Sequence, residues 1–152
     1  MQLLSKHHFL GTQRVTVIGG IFCIGVPVDQ ARPVFEDWIL GRLVVSELRA
    51  LDAEGLTHTL AWVIMPDRLQ WLVQLGARPL ATVMCRLKSR SSLSVNEQRQ
   101  ACGRLWAAGY EERLLDAADD PKAIARQMVT APQRAGLVKR TGDYPLWDAV
   151  WL

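Results

Sequence analysis

Thr57-His-Thr-Leu-Ala-Trp-Val-Ile-Met65, then Pro66-Asp67, then Arg68-Leu-Gln-Trp-Leu-Val-Gln-Leu75 reads as two apolar strands joined by a tight turn. Proline and aspartate between β-rich runs close a hairpin. Upstream, Arg14-Val-Thr-Val-Ile-Gly-Gly-Ile-Phe-Cys-Ile-Gly25 is rich in β-branched residues and predicts a central strand with a bulge or bend at Gly19-Gly20. Between these, Val34, Trp38, Leu43, Val44, Leu48 and Leu51 recur at helical spacing. With Asp29 near the start and Gly55 just past the end, they predict a helix over Val28 to Leu51.

Downstream of the hairpin, a second helix is predicted from Pro79 into the Gln98 region, with Leu80, Val83, Met84 and Leu87 inward and Arg86, Lys88 and Arg90 outward. Ser89, Ser91, Ser92 and Ser94 are expected to weaken its end. Tyr110 to Leu115 predicts a fourth strand. Asp119-Asp120-Pro121 supplies an N-cap and a first-turn proline for a third helix, which Pro132 stops after about Thr130. The order implies an α+β fold, a ferredoxin-like β-α-β-β-α-β antiparallel sheet with helices packed on one face and an extra C-terminal helix.

The 152 residues suit one domain, and 49% hydrophobic with 22% charged residues suits a packed core. Residues 1–10 are expected to be flexible. The longest apolar stretch, Val15 to Val28, is broken by Gly19, Gly20, Gly25 and Pro27, so a membrane span is not expected. The segment Met1 to His8 lacks the features of a secretory leader, and a cytoplasmic location is expected. Cys23, Cys85 and Cys102 form no C-x-x-C pair and read as buried thiols in a reducing compartment. Net charge is +3, yet Arg78, Arg86, Lys88, Arg90, Arg99 and Arg104 face a single acid, Glu97, within one segment of +5, and the rest of the chain sums to −2. Such concentration marks a polyanion contact or a solvated helix face.

Four segments carry a family resemblance: Trp62-Val-Ile-Met-Pro-Asp67, Leu105-Trp106 before Gly109-Tyr110, Ala131-Pro-Gln-Arg-Ala-Gly-Leu-Val138, and Asp143-Tyr-Pro145. Over roughly Gly11 to Asp148 the chain resembles the REP-associated tyrosine transposases, a branch of the single-tyrosine HUH nucleases. The resemblance implies a strand bearing His-hydrophobic-His after a Met-Pro-Asn turn, and a helix bearing Tyr-x-x-x-Asn. Two histidines at i and i+2 share one strand face and hold a divalent cation, while the tyrosine hydroxyl attacks the phosphate that the cation polarises.

Here those positions hold Arg68 and Gln70, then Gln127 and Ala131. Arginine has no lone pair for a metal, and amides are not nucleophiles. The family's divalent metal site is therefore expected to be lost, no cofactor is expected, and the domain is expected not to cut. Tyr110 and Tyr144 are the two tyrosines present, and neither is expected to be catalytic. His58, alone on a strand, reads as an edge histidine, and His7 and His8 as flexible.

Nucleic acid, as hairpin or single-stranded DNA or RNA, is the expected partner. The candidate contacts are Arg68, Gln70, Arg78, Arg86, Lys88, Arg90, Arg134, Lys139 and Arg140. Arg68 has a specific expectation: it would grip a phosphate where the family places its metal. Arg134 reads equally as a brace for the chain. At least four of the six tryptophans are expected in the core. Two other readings stay open, an active nuclease with a displaced nucleophile and a protein-interaction scaffold, and so does the choice between monomer and homodimer.

Overall fold

The computed structural model describes residues 5–7 and 19–151, with backbone alone for 5–7. The hairpin forms over the predicted residues as β3 (Thr57–Met65) and β4 (Arg68–Leu75), paired down to Met65 opposite Arg68. With β2 (Ile21–Pro27) and β5 (Tyr110–Leu114) they make an antiparallel core in the order β5-β2-β4-β3. That is the predicted ferredoxin-like arrangement. The sheet is wider than predicted, because β1 (Ser5–His7) pairs with β5 at one edge and β6 (Trp147–Ala149) with β3 at the other, making six strands. The rest of residues 1–10, and His8 with it, lies outside the described residues.

One predicted element begins in the wrong place, and another is interrupted at its glycine pair. The first strand starts at Ile21, with Gly19 in the turn before it at φ 78 rather than in a bulge, and its predicted beginning at Arg14 lies outside the described residues. The first helix, α1 (Trp38–Ala53), starts ten residues after the predicted Val28. Two 3-10 turns, Asp29–Ala31 and Val34–Glu36, fill the gap. Pro33 is the physical cause, since it forces Arg32 to extended backbone (ψ 138) and offers no N–H, while Gln30 and Ala31 sit at positive φ. The cap is accordingly Asp37, whose carboxylate accepts from the Ile39 N–H at 3.0 Å, and not Asp29.

The second helix, α2 (Leu80–Arg99), runs straight through its serines. Their hydroxyls turn back on the helix: Ser89 donates to the Cys85 carbonyl and Ser91 to that of Leu87. Buried Ser91 then accepts from the Trp106 indole N–H at 2.9 Å. The third helix, α3 (Pro121–Val129), is capped by Asp120 as predicted, and Pro132 turns the chain into one further helical turn, α4 (Ala131–Arg134).

The two faces of the sheet are unlike. On β4, Leu69, Trp71, Val73 and Leu75 alternate with Arg68, Gln70, Leu72 and Gln74; the first set is buried, and of the second only Leu72 is. α1 and α2 pack together on that apolar face. There α1 is pinned by Asp52, whose carboxylate oxygen accepts from the Thr57 hydroxyl and from the Thr59 amide and hydroxyl at 2.6, 3.1 and 2.9 Å. The Thr59 hydroxyl in turn accepts from the Trp71 indole N–H at 3.0 Å. The register shift between Thr59 and Ala61 lets Thr59 and Trp62 both face this side although they are three residues apart. α3 begins on the other face, because Asp119, just before it, pairs with Arg113, which shares a row with Cys23 and Leu72. From there α3 packs on β3, with Ala125, Met128 and Val129 buried.

Candidate nucleic-acid interface

Arg68 and Gln70 lie on the face that α1 and α2 leave open. Their strand register places Arg68 beside Pro27, and Gln70 beside Gly25, whose other neighbour on β5 is Glu111. Gly25 carries no side chain, so β2 itself places none between β4 and β5 at that row. The Arg68 guanidinium reaches across and donates from Nη2 to Glu111 Oε2 at 2.8 Å, with both side chains mostly buried (28% and 19% exposed). The pair uses one nitrogen. Arg68 Nε is buried and has no hydrogen-bond partner among the described residues.

A second pair lies one row further along. Arg113 Nη1 donates to both carboxylate oxygens of Asp119 at 3.1 and 3.0 Å. Backbone and Arg113 hydrogen bonds hold the Asp119 carboxyl below the usual carboxylate range, the amide of Asp116 contributing most. Cys23 shares the row of Arg113, and burial pushes its thiol up to about 11 against the pull of Arg113 and Arg68. The open face thus carries two arginines, each matched by an acid. Glu111, Arg113 and Asp119 escaped the sequence reading; the available signal was the pair of charges at i and i+2, Glu111 and Arg113, within a predicted strand.

The other candidates do not gather into one surface. On α2, Arg86 and Arg90 point the same way and both donate to Glu54, at 2.7 and 3.0 Å. Those hydrogen bonds, Arg90 first, lower the Glu54 carboxyl. Lys88 corrects the prediction that it points outward. Its ammonium is half-buried and donates to the carbonyls of Ala107 and Gly109, both at 2.8 Å, and burial lowers its pKa. A residue two positions from Arg86 and Arg90 falls on another side of a helix. Arg78 is exposed just before α2.

Arg134 braces the chain, donating to the Gln127 carbonyl at 2.7 Å and to the Thr130 hydroxyl. Arg140 pairs with Asp143 at 3.3 Å, and Lys139 beside it is exposed. α2 and Arg68 therefore lie on opposite faces of the sheet.

At the positions where the resemblance implies a metal and a nucleophile, the side chains present are a poor set for a divalent cation. Among the described residues no three His, Cys, Asp or Glu side chains come together. At 68 and 70 a guanidinium held by a carboxylate stands beside a neutral amide, so a cation would meet a positive charge and one weak donor. Gln127 is exposed on α3, and Ala131 begins α4. Tyr144 is buried and its hydroxyl donates to the Ile64 carbonyl at 2.6 Å, tying the loop before β6 to β3.

Burial raises the Tyr144 phenol from 10.0 to about 12. A group whose folded pKa is raised adds stability that is complete below the unfolded value and fades as pH climbs through the folded one. Stability is therefore expected to fall between about pH 10 and 12, and Tyr144→Phe to flatten that decline. Urea unfolding along an alkaline pH series measures both.

Two further expectations need correction or refinement. Cys85 and Cys102 are exposed and only Cys23 is largely covered, because Cys85 falls on the solvent side of α2 and Cys102 in the loop after it. Of the tryptophans, Trp62, Trp71 and Trp106 are buried and Trp147 is partly so, while Trp38 and Trp151 are exposed. His58 is exposed on β3 opposite Gln74. Among the described residues no helix is long and apolar enough to cross a membrane.

The sheet order, the helix pair on one face and the helix beginning on the other define a transposase-like fold. The chain is similar to a REP-associated tyrosine transposase bound to a REP hairpin, with TM-score 0.70 and 16% identity over 90% of this chain and 80% of that one. It is also similar to a protein of Deinococcus radiodurans assigned as a transposase, with TM-score 0.52 and 18% identity over 78% of this chain and 94% of that one. No family model and no curated protein matches the sequence.

Proposed function

We propose that the chain is a transposase-like domain that binds structured single-stranded nucleic acid, hairpin DNA or RNA, without cutting it, and acts as a regulator in the cytoplasm. One observation carries the reading: where the resemblance implies a metal ligand, Arg68 and Glu111 form an ion pair instead. Gln70, Gln127 and Ala131 agree with it, since the amides are at best weak ligands and none of the three is a nucleophile. Binding draws support from the fold shared with a transposase that grips a hairpin, and from the surplus of basic residues between Arg78 and Arg104.

Purified protein incubated with end-labelled hairpin DNA and magnesium or manganese is expected to yield no covalent protein-DNA adduct on a denaturing gel. The same hairpin, and its RNA counterpart, is expected to bind reversibly with an affinity that falls as salt rises. An adduct would restore the nuclease reading. Absence of any salt-sensitive binding to either polymer would favour a scaffold.

A further inference from the structure

We propose that Glu111 is a built-in stand-in for phosphate: it holds Arg68 when no nucleic acid is present and yields it to a backbone phosphate on binding. The inference rests on the nucleic-acid reading above and names the residue that controls it. Three features support the exchange. The ion pair is single-stranded in hydrogen-bond terms, joining Nη2 to one carboxylate oxygen at 2.8 Å. Arg68 Nε is buried with no partner among the described residues, an arrangement that a guanidinium resolves by presenting Nε and Nη2 together to two oxygens of one anion. A phosphate offers such a pair of oxygens, and arginine is the side chain suited to gripping it.

The setting favours a replaceable carboxylate. Glu111 reaches Arg68 over Gly25, where no side chain on β2 fills the space, and Arg68 keeps 28% of its side-chain surface exposed. Both arginines on this face of β4 and β5 are held in ion pairs, Arg68–Glu111 and Arg113–Asp119, and the register sets Lys6 of β1 opposite Glu111. The resting face then offers no unmatched arginine on β4 or β5. It becomes attractive to a polyanion at the position where a carboxylate lets go, so Glu111 sets how much the polymer must offer before Arg68 is released.

The test is a double-mutant cycle on binding of a fluorescein-labelled DNA hairpin with single-stranded flanks, followed by anisotropy at low salt. Glu111→Gln keeps a hydrogen-bond acceptor for Arg68 but removes the charge, and is expected to tighten binding on the order of fivefold. Arg68→Gln is expected to weaken it by a similar factor. In the Arg68→Gln background, Glu111→Gln should give no gain, because the gain acts through Arg68. Glu97→Gln, the same charge change on exposed α2, controls for net charge and should leave affinity within about twofold. Urea unfolding of each variant confirms that it is folded.

A gain that persists without Arg68, or no gain at all from Glu111→Gln, overturns the exchange while leaving hairpin binding by the parent protein intact. If neither the parent nor Glu111→Gln binds the probe, the nucleic-acid reading falls and the exchange falls with it.

Discussion

Trp71→Ala is expected to lower stability by about 3–5 kcal/mol, a large share of the roughly 5–15 kcal/mol that a domain of this kind has. Trp71 is 0% exposed in the middle of β4, between Ile24 on β2 and Trp62 on β3, under the helix pair. Removing the indole opens a cavity that two strands and a helix layer cannot collapse to fill. It also removes the indole donor to the Thr59 hydroxyl, which links Trp71 to Asp52 and so ties β4 through β3 to α1. Trp71→Phe separates the two terms: it keeps much of the volume and loses the hydrogen bond, and should cost about 1–2 kcal/mol. Trp151→Ala, at an exposed position, should change stability by less than about 0.5 kcal/mol. Urea unfolding followed by circular dichroism measures all three, and a small loss for Trp71→Ala would deny the packing assigned to this layer.

Arg68→Glu is expected to have the largest effect on binding. It sets two carboxylates against each other across Gly25, where a cation and a carboxylate now meet at 2.8 Å. Like charges in a mostly covered site repel, and the loss in stability is expected to be about 1–2 kcal/mol, below the figure for a fully buried pair because Arg68 keeps some contact with solvent. Hairpin affinity should fall by more than about tenfold, since the phosphate loses its guanidinium and meets a negative charge instead. Adding Glu111→Arg re-forms the pair in reverse and should recover most of the stability. An Arg68→Glu protein that stays as stable and binds as tightly as the parent would show that position 68 takes no part in either.

The hairpin from Thr57 to Leu75 was legible because its signal is local: two β-rich runs and a proline-aspartate turn specify their own pairing. The Asp120 cap and the end of the helix before Pro132 were legible for the same reason. The start of α1 was not. Apolar spacing continued upstream through Val34, yet Pro33 and the positive-φ pair Gln30 and Ala31 broke the helix, and backbone geometry of that kind outranks periodicity. The edge strands β1 and β6 are three residues each, too short to carry a pattern of their own. They exist because β5 and β3 offer unpaired edges.

The candidate site divides in the same way. Which residue types occupy positions 68, 70, 127 and 131 is written in the chain, and with it the kinds of chemistry those side chains can perform, since lone pairs and charges belong to the residue and not to the fold. What Arg68 faces was decided by tertiary structure alone. Glu111 is 43 residues away in the chain, and only the register of β4, β2 and β5 around Gly25 brings the two within 2.8 Å. The same holds for Lys88, drawn in by two carbonyls of the loop before β5, and for Arg86 and Arg90, both claimed by Glu54 at the end of α1. A basic segment can be counted from sequence, but whether each charge is free or already matched depends on which distant acid or carbonyl the fold places beside it, because those interactions act over a few ångströms of space whatever the distance along the chain.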